Sequence, residues 1–246
     1  MRKQVGIVLG MAALLGVMSI GAVSAQSKVA LKLGEFVKGE ITQKVHEVSY
    51  SFKAKKGDII TLEIMPDPDQ PDLDPTVELR NSDGQTLAKN DDFNYPLALA
   101  IAEVPSDGDY IAVAGRSGGE EGDSVGKYNL RVSVAELVGP GSTIDAKISS
   151  NFDAPAQIYV MRPEKSGPMD VTFSQEPGEN YAALKVIKWI EDGYPDTLVN
   201  IDGTSKLTKA TLTVDLEADS FYVLKVEQAA YSFGDPVEFP VTIALK

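Results

Sequence analysis

Short segments in which apolar and polar residues alternate are the feature that most constrains the fold of this chain. The pattern is clearest in residues 72–92, where Val77 and Leu79 alternate with polar neighbours. The run 81–84, Asn-Ser-Asp-Gly, has the composition of a turn, and Leu87 resumes the apolar face after it. Two period-two segments joined by such a turn predict a β-hairpin.

The same alternation recurs along most of the chain, in segments 48–52, 60–64, 110–113, 128–134, 212–216, 222–226 and 237–243. Turn residues separate these segments, and a Pro- and Asp-rich loop spans 65–75. Residues 181–190 also fit helical spacing, but we expect a strand there beside Asp192 and Gly193. The pattern therefore predicts an all-β protein.

The order of segments and turns is repeated loosely in the second half of the chain. The approach to Val171 resembles the approach to Ile60, and the segments on either side of 217–220 resemble those around 105–109. We interpret this as a diverged tandem duplication, with units 26–137 and 143–246 joined by a short linker, 138–142. Each unit has the strand content of an antiparallel β-sandwich with Greek-key or jelly-roll connections.

The N-terminus has the composition of a signal peptide. Arg2 and Lys3 precede an apolar run, 5–20, and small residues stand at 23–25. We expect cleavage after Ala25 and a secreted location, periplasmic, extracellular or at the cell surface. The alternative is an uncleaved membrane anchor.

Charge and cysteine content narrow the classes of partner. The chain has no cysteine and a net charge of -13, so disulfides and Cys-ligated metals are excluded. Such an acidic chain disfavours nucleic acid and, after signal cleavage, membranes, and it suits divalent cations or basic partners. The alternative is that the charge only maintains solubility.

Acidic and amide side chains stand at both ends of the predicted hairpin, so chain reversal brings them together. The candidate metal ligands are Asp72, Asp74, Asn90, Asp91 and Asp92. Oxygen ligands of this kind suit Ca²⁺, although the spacing is not that of an EF-hand. The alternative is that these residues serve only the turns.

Four aromatic residues next to predicted turns are candidates for ligand binding. Phe93 and Tyr95 follow the acids of the hairpin, and Trp189 and Tyr194 flank the turn at 192–193. Aromatic rings on loops provide platforms for sugars or peptides. The alternative is that these rings fill the core.

We expect a non-enzymatic protein. His46 is the only histidine, and no His-Glu-x-x-His sequence accompanies it. Residues 115–119, Gly-Arg-Ser-Gly-Gly, have the Gly-x-Ser-x-Gly spacing, but a nucleophile elbow needs a helix after the serine, and the glycine- and acid-rich residues that follow predict a loop. A glycosidase needs only two carboxylates, but a chain with 36 acids always permits such a pair.

Residues 39–134 resemble the bacterial pre-peptidase C-terminal (PPC) domain, which is itself similar to the collagen-binding modules of secreted collagenases. The matching motifs are Gly39-Glu40-Ile41, Tyr50-Ser51-Phe52, Lys56-Gly57-Asp58, Asp74-Pro75, Asp83-Gly84, Asn90-Asp91-Asp92, Gly108-Asp109-Tyr110 and Gly126-Lys127-Tyr128. The resemblance implies a non-catalytic β-sandwich of the kind appended to secreted hydrolases, some of which bind calcium or polymers. This chain departs from that setting because no peptidase domain accompanies the module.

We therefore expect a secreted binding or adhesion module that recognises an extracellular polymer, either polysaccharide or protein, or an envelope protein. A structural component of a surface layer or secreted assembly is the alternative, followed by a small secreted hydrolase.

Overall fold

The computed structural model describes residues 29–94, 96–150, 156–191, 193–204, 206–229 and 237–246. The strands are β1 (Val29–Ala30), β2 (Phe36–Ile41), β3 (Glu47–Ala54), β4 (Ile59–Pro66), β5 (Pro75–Asn81), β6 (Thr86–Asn90), β7 (Ala98–Glu103), β8 (Gly108–Arg116), β9 (Gly126–Val134), β10 (Thr143–Ser149), β11 (Gln157–Met161), β12 (Gly167–Gln175), β13 (Ala182–Lys188), β14 (Asp196–Asp202), β15 (Lys209–Leu216), β16 (Tyr222–Gln228) and β17 (Glu238–Leu245). A 3₁₀ turn, Gly119–Glu121, is the one helical element in these ranges. The predicted all-β fold is confirmed, including a strand, β13, where helical spacing also fitted.

The predicted signal peptide, residues 1–25, lies outside the described ranges. Within them, no helix has the length and apolar character needed to span a membrane.

The strands form two β-sandwiches in succession. In the first, sheet I has the order β1-β3-β8-β5-β6 and sheet II the order β2-β9-β4-β7. In the second, sheet III has the order β11-β16-β13-β14 and sheet IV the order β10-β17-β12-β15. All strand pairs are antiparallel except that of β1 with β3.

The two sandwiches share one topology. If eight is added to each strand number, β2-β9-β4-β7 becomes β10-β17-β12-β15, and β3-β8-β5-β6 becomes β11-β16-β13-β14. Sheet II is thus the counterpart of sheet IV, and sheet I that of sheet III. This correspondence agrees with the tandem duplication inferred from the sequence.

Each sandwich has its own core of alternate side chains from its two sheets. In the first core the hydroxyls of Tyr50 and Tyr128 lie 2.8 Å apart and share a buried hydrogen bond. Gly39 stands against the ring of Tyr128, where a Cβ would come within 2.3 Å of ring atoms. The phenol pair therefore depends on a residue without a side chain at this position.

The outer face of sheet II packs against the outer face of sheet III. A third apolar cluster lies between them, with Ile59, Phe93, Leu97, Leu99 and Ile101 from the first unit and Val160, Ile187 and Val223 from the second. Strands β4, β7, β13 and β16 are consequently buried on both faces over most of their length. Continuous burial explains why their sequences are more uniformly apolar than a half-exposed strand requires.

Polar contacts surround this cluster. Trp189 Nε1 donates to the carbonyl of Leu99 at 2.7 Å, and the Trp189 ring packs edge-on against Phe221. Lys225 Nζ donates to Asn94 Oδ1, also at 2.7 Å. Burial lowers the pKa of Lys225, and neighbouring Glu227 opposes that change. The cluster and these bonds join the two units over a broad face.

The connection between the units is a hydrogen-bonded turn. The amide of Ser142 donates to the carbonyl of Gly139, and the amide of Gly139 donates to Ser142 Oγ. Gly141, at φ +91°, has the left-handed conformation that favours glycine. The amide of Val138 donates to the carbonyl of Val160. The linker predicted at 138–142 thus holds several backbone contacts with the second unit.

We predict that truncation of Leu99 to Ala weakens both units together. Leu99 is fully buried between the sheets, and removal of such a side chain costs about 2–5 kcal/mol. Trp189, the single tryptophan, reports on the interface by fluorescence, and circular dichroism reports on all strands. The wild type should give coincident urea transitions by both probes. Leu137→Ala, at a side chain with 46% exposure, is the control and should change the free energy of unfolding by less than about 1 kcal/mol. Separate transitions in the wild type would contradict coupling across this face.

Candidate functional site

The hairpin of β5 and β6 gathers most of the predicted acidic residues at one end. Asp74 immediately precedes β5, and Asp91 and Asp92 immediately follow β6. Val77 pairs with Asn90 in the strand register, which fixes how closely these ends approach. The sequence prediction that chain reversal brings the two groups together agrees with this geometry.

Asp74 experiences the charges of the acids across the hairpin. Its side chain is half-buried, and burial, followed by the charges of Asp92 and Asp91, raises its pKa. Ser117 opposes this rise through a hydrogen bond to the carboxylate, and the Ser117 amide also donates to the Asp74 carbonyl at 2.9 Å. Asp72 is exposed. Like charges are therefore concentrated here without a compensating ion pair to Asp74 among the described contacts.

Asn90 has a structural role. It is 3% exposed, and its Oδ1 accepts a hydrogen bond from the amide of Leu99 at 3.2 Å. This bond attaches β6 in sheet I to β7 in sheet II. The Nδ2 group is buried without a partner. An amide oxygen engaged with the backbone is poorly placed to ligate a metal.

The acids do not form a metal cage. In the part of the chain that the structure describes, no group of three or more His, Asp or Glu side chains is arranged to hold a metal ion. Calcium needs six to eight oxygen ligands, which the positions of Asp74, Asp91 and Asp92 do not supply by themselves. Calcium binding at the five candidate residues stays a prediction.

Arg116 is a residue of this region that sequence reasoning missed. Its side chain is 3% exposed and donates to the carbonyls of Gly119, Ser124 and Glu120 at 2.7, 3.3 and 3.2 Å. The glycine- and acid-rich loop after β8 is thus closed around a buried guanidinium. The sequence signal that could have indicated this role is a single arginine at the start of a glycine- and acid-rich segment.

A small groove lies beside this loop. It has a volume of about 230 Å³ and is lined by Thr76, Val77, Glu78, Lys89, Asn90, Asp91, Arg116, Gly118 and Gly119. Side chains of both signs face it, and the acids at the hairpin end adjoin it.

The four aromatic candidates lie in different environments. Phe93 is 1% exposed within the apolar cluster between the units, so it does not offer the surface platform that the sequence suggested. Trp189 is half-buried in the same interface and bonded to Leu99. Tyr194 is 78% exposed. Tyr95 lies outside the described residues. The alternative that rings fill a core holds for Phe93 and, in part, for Trp189.

Two further carboxylates with shifted pKa values, Glu63 and Glu78, belong to ion pairs. Glu63 accepts a two-pronged contact from Arg131, at 2.8 and 2.9 Å from one nitrogen, and burial raises its pKa. Glu78 accepts from Arg80 at 2.5 Å. His46 is half-buried just before β3. The ion pairs of Glu63 and Glu78 place each carboxylate beside a guanidinium. Neither pair contains a nucleophile with a base positioned next to it.

The fold defines an all-β protein of two tandem antiparallel sandwiches. No known protein family matches the chain, and no curated protein is similar to it in sequence. Among solved structures, a candidate secreted protein from Eubacterium rectale matches with 10% identity over 85% of this chain and 72% of its own length, with a TM-score of 0.26. Similarity at this level carries no argument about function, so the resemblance to the PPC domain stays a prediction from sequence.

We predict that Asp74→Asn raises the melting temperature at pH 7 by about 1–2 °C. A raised carboxyl pKa means that ionisation costs more in the folded than in the unfolded state, so stability is gained as pH falls through the folded pKa. The amide removes this charge and keeps an acceptor for Ser117. The difference between variant and wild type should disappear near about pH 3, where both side chains are neutral.

Thermal melts of wild type, Asp74→Asn and the exposed control Asp83→Asn check this expectation. A lower melting temperature for Asp74→Asn at pH 7 would contradict it. The same series tests calcium: a rise with about 5 mM Ca²⁺ in the wild type that Asp74→Asn lacks supports the predicted site. Equal responses in all three proteins would remove it.

Proposed function

We propose that the protein is an exported, non-catalytic binding module whose acidic hairpin end recognises a basic polymer or a basic segment of an envelope protein. The observation that carries this proposal is the convergence of Asp74, Asp91 and Asp92, where burial and then the two neighbouring charges raise the pKa of Asp74. Carboxylates that repel one another in this way are stabilised by a bound cation. The predicted signal peptide and the resemblance to the PPC domain support export and polymer recognition.

Net charge gives the proposal a second support. The chain carries -13, and loss of residues 1–25, which contain Arg2 and Lys3 but no acid, would make it more acidic. A surface of one sign attracts oppositely charged polymers over long distances and more strongly at low ionic strength. Among the aromatic candidates that the structure describes, Tyr194 has an exposed ring that is available to stack on lysine or arginine side chains.

The test is binding to immobilised polylysine, with polyglutamate as the opposite-charge surface. We expect binding to polylysine that falls steeply as salt rises from about 50 to about 300 mM. A triple change of Asp72, Asp91 and Asp92 to Asn should weaken it about tenfold, if each charge contributes about 0.5 kcal/mol.

The matched control neutralises three exposed acids of the second unit, Glu164, Glu176 and Glu179, by changing them to Gln. It alters the net charge equally and should change affinity less than about threefold. Equal losses for the two triple variants would indicate attraction by net charge alone and would contradict a site at the hairpin end. Turnover in a broad hydrolase screen would instead favour the catalytic alternative.

A further inference from the structure

Strand β15, Lys209–Leu216, forms an open edge of sheet IV. It pairs on one side with β12, and no strand among the described residues lies on its other side. The amide of Gln175 donates to the carbonyl of Thr208, which fixes the alternation of the ladder. The backbone groups of Lys209, Thr211, Thr213 and Asp215 therefore point away from β12. None of the described hydrogen bonds reaches them.

The counterpart of this strand in the first unit is closed. Strand β7 ends sheet II at the equivalent place, but the amide of Leu99 donates to Asn90 and its carbonyl accepts from Trp189 of the second unit. The second sandwich has no further unit among the described residues that could do the same for β15. The two units share one topology, but the edge strand β7 is covered and its counterpart β15 is not.

Four other sheet ends, β1, β6, β10 and β14, carry features that discourage strand pairing. Strand β1 has two residues, and β6 and β14 lie beside bulges. On β10, the carbonyl of Lys147 accepts from the side chain of Gln157. Strand β15 has eight residues, continuous pairing with β12, and neither proline nor glycine. A long regular edge of this kind is a template for another strand.

The sequence of β15 is complementary to itself. Residues 209–215 read Lys-Ala-Thr-Leu-Thr-Val-Asp, with opposite charges at the ends and Leu212 at the centre. We infer that β15 pairs antiparallel with β15 of a second copy, around a two-fold axis at Leu212. This contact would join two sheets IV into one continuous eight-stranded sheet. The inference does not rest on the proposed binding function.

The register agrees with the hydrogen-bonding pattern. With Leu212 opposite Leu212, Thr211 faces the second copy's Thr213, and Lys209 faces the second copy's Asp215. These are the residues whose backbone groups point outward, so each pair exchanges two backbone hydrogen bonds. If the register shifted by one residue, outward-pointing backbone groups of one copy would lie opposite inward-pointing backbone groups of the other. Charge and hydrogen bonding therefore select the same alignment.

Leu212 supplies an apolar centre for this contact. Its side chain is 41% exposed, whereas Val214 and Leu216 on the same face are 4% exposed. Two Leu212 side chains brought together across the axis would cover each other. The symmetric contact is isologous and closes after two copies, so it does not lead to fibres.

The first test is a disulfide at the axis. In a non-hydrogen-bonded antiparallel pair the Cα atoms lie about 4.5 Å apart, within the range of a disulfide. The natural chain has no cysteine, so Leu212→Cys can form a bond only with a second copy. We expect a covalent dimer under mild oxidation, and at least about tenfold less from Tyr194→Cys, an exposed control in the same unit.

The second test is sedimentation equilibrium of the natural protein across concentration. We expect a monomer–dimer equilibrium that Thr213→Pro abolishes, because proline removes an outward amide and leaves the backbone bonds to β12 intact. Thr213→Val, which keeps that amide, should retain the dimer. Thr213→Pro and Thr213→Val both lose the side-chain bond from Thr213 to Asp170 on β12, so this loss does not distinguish them. Circular dichroism and melting temperature verify that both variants are folded.

The third test exchanges the charges of Lys209 and Asp215, which face each other in the proposed dimer. Lys209→Asp places like charges opposite each other twice in the dimer and should weaken association about tenfold, whereas Lys209→Asp combined with Asp215→Lys should restore it. A wild-type protein that stays monomeric to about 1 mM would overturn the inference. So would a dimer that Thr213→Pro leaves unchanged, or equal yields of covalent dimer from the Leu212→Cys and Tyr194→Cys variants.

Discussion

The apolar contact between sheets II and III is the constraint on which the rest of the arrangement depends. It joins the two sandwiches into four layers, in which β4 and β7 of sheet II and β13 and β16 of sheet III are buried on both faces over most of their length. Burial of Leu99, Ile187 and Val223 removes apolar surface that neither unit could expose alone. The contact also decides which loops stay accessible, because it engages Phe93 and Trp189 and leaves the acidic end of the hairpin outside.

Much of the fold follows from the sequence because period-two burial is a local property. A residue such as Val77 or Leu130 alternates with polar neighbours whatever the rest of the chain does, so strands, turns and the repeated order of the units can be predicted. The contact between the units is not local. Its strands show only that polar residues are scarce, and a short apolar run fits a fully buried strand in many environments. That is why the sequence leaves open whether Trp189 and Phe93 lie on loop surfaces or in a core.

The candidate site also has features that follow from local sequence and features that depend on distant parts of the chain. The approach of Asp74 to Asp92 follows from a hairpin closed by a recognisable turn, and the structure places them together. The role of Asn90 could not be foreseen, because its partner, the amide of Leu99, lies in the opposite sheet. Arg116 was missed for a related reason: its partners are backbone carbonyls, which leave no trace in side-chain identity. A side-chain role that depends on a distant backbone partner can be recognised only from the three-dimensional structure.

The pairing of unlike sheets has a consequence for how the two halves came to differ. The first unit covers the outer face of sheet II and the second covers the outer face of sheet III, so equivalent outer-face positions of the two units lie in different surroundings, whereas the inner faces line a core in both. If the two units arose by the predicted duplication, equivalent outer-face positions would have come under opposite constraints, toward apolar side chains in one unit and polar side chains in the other. The loose repetition of the sequence pattern agrees with this difference in surroundings.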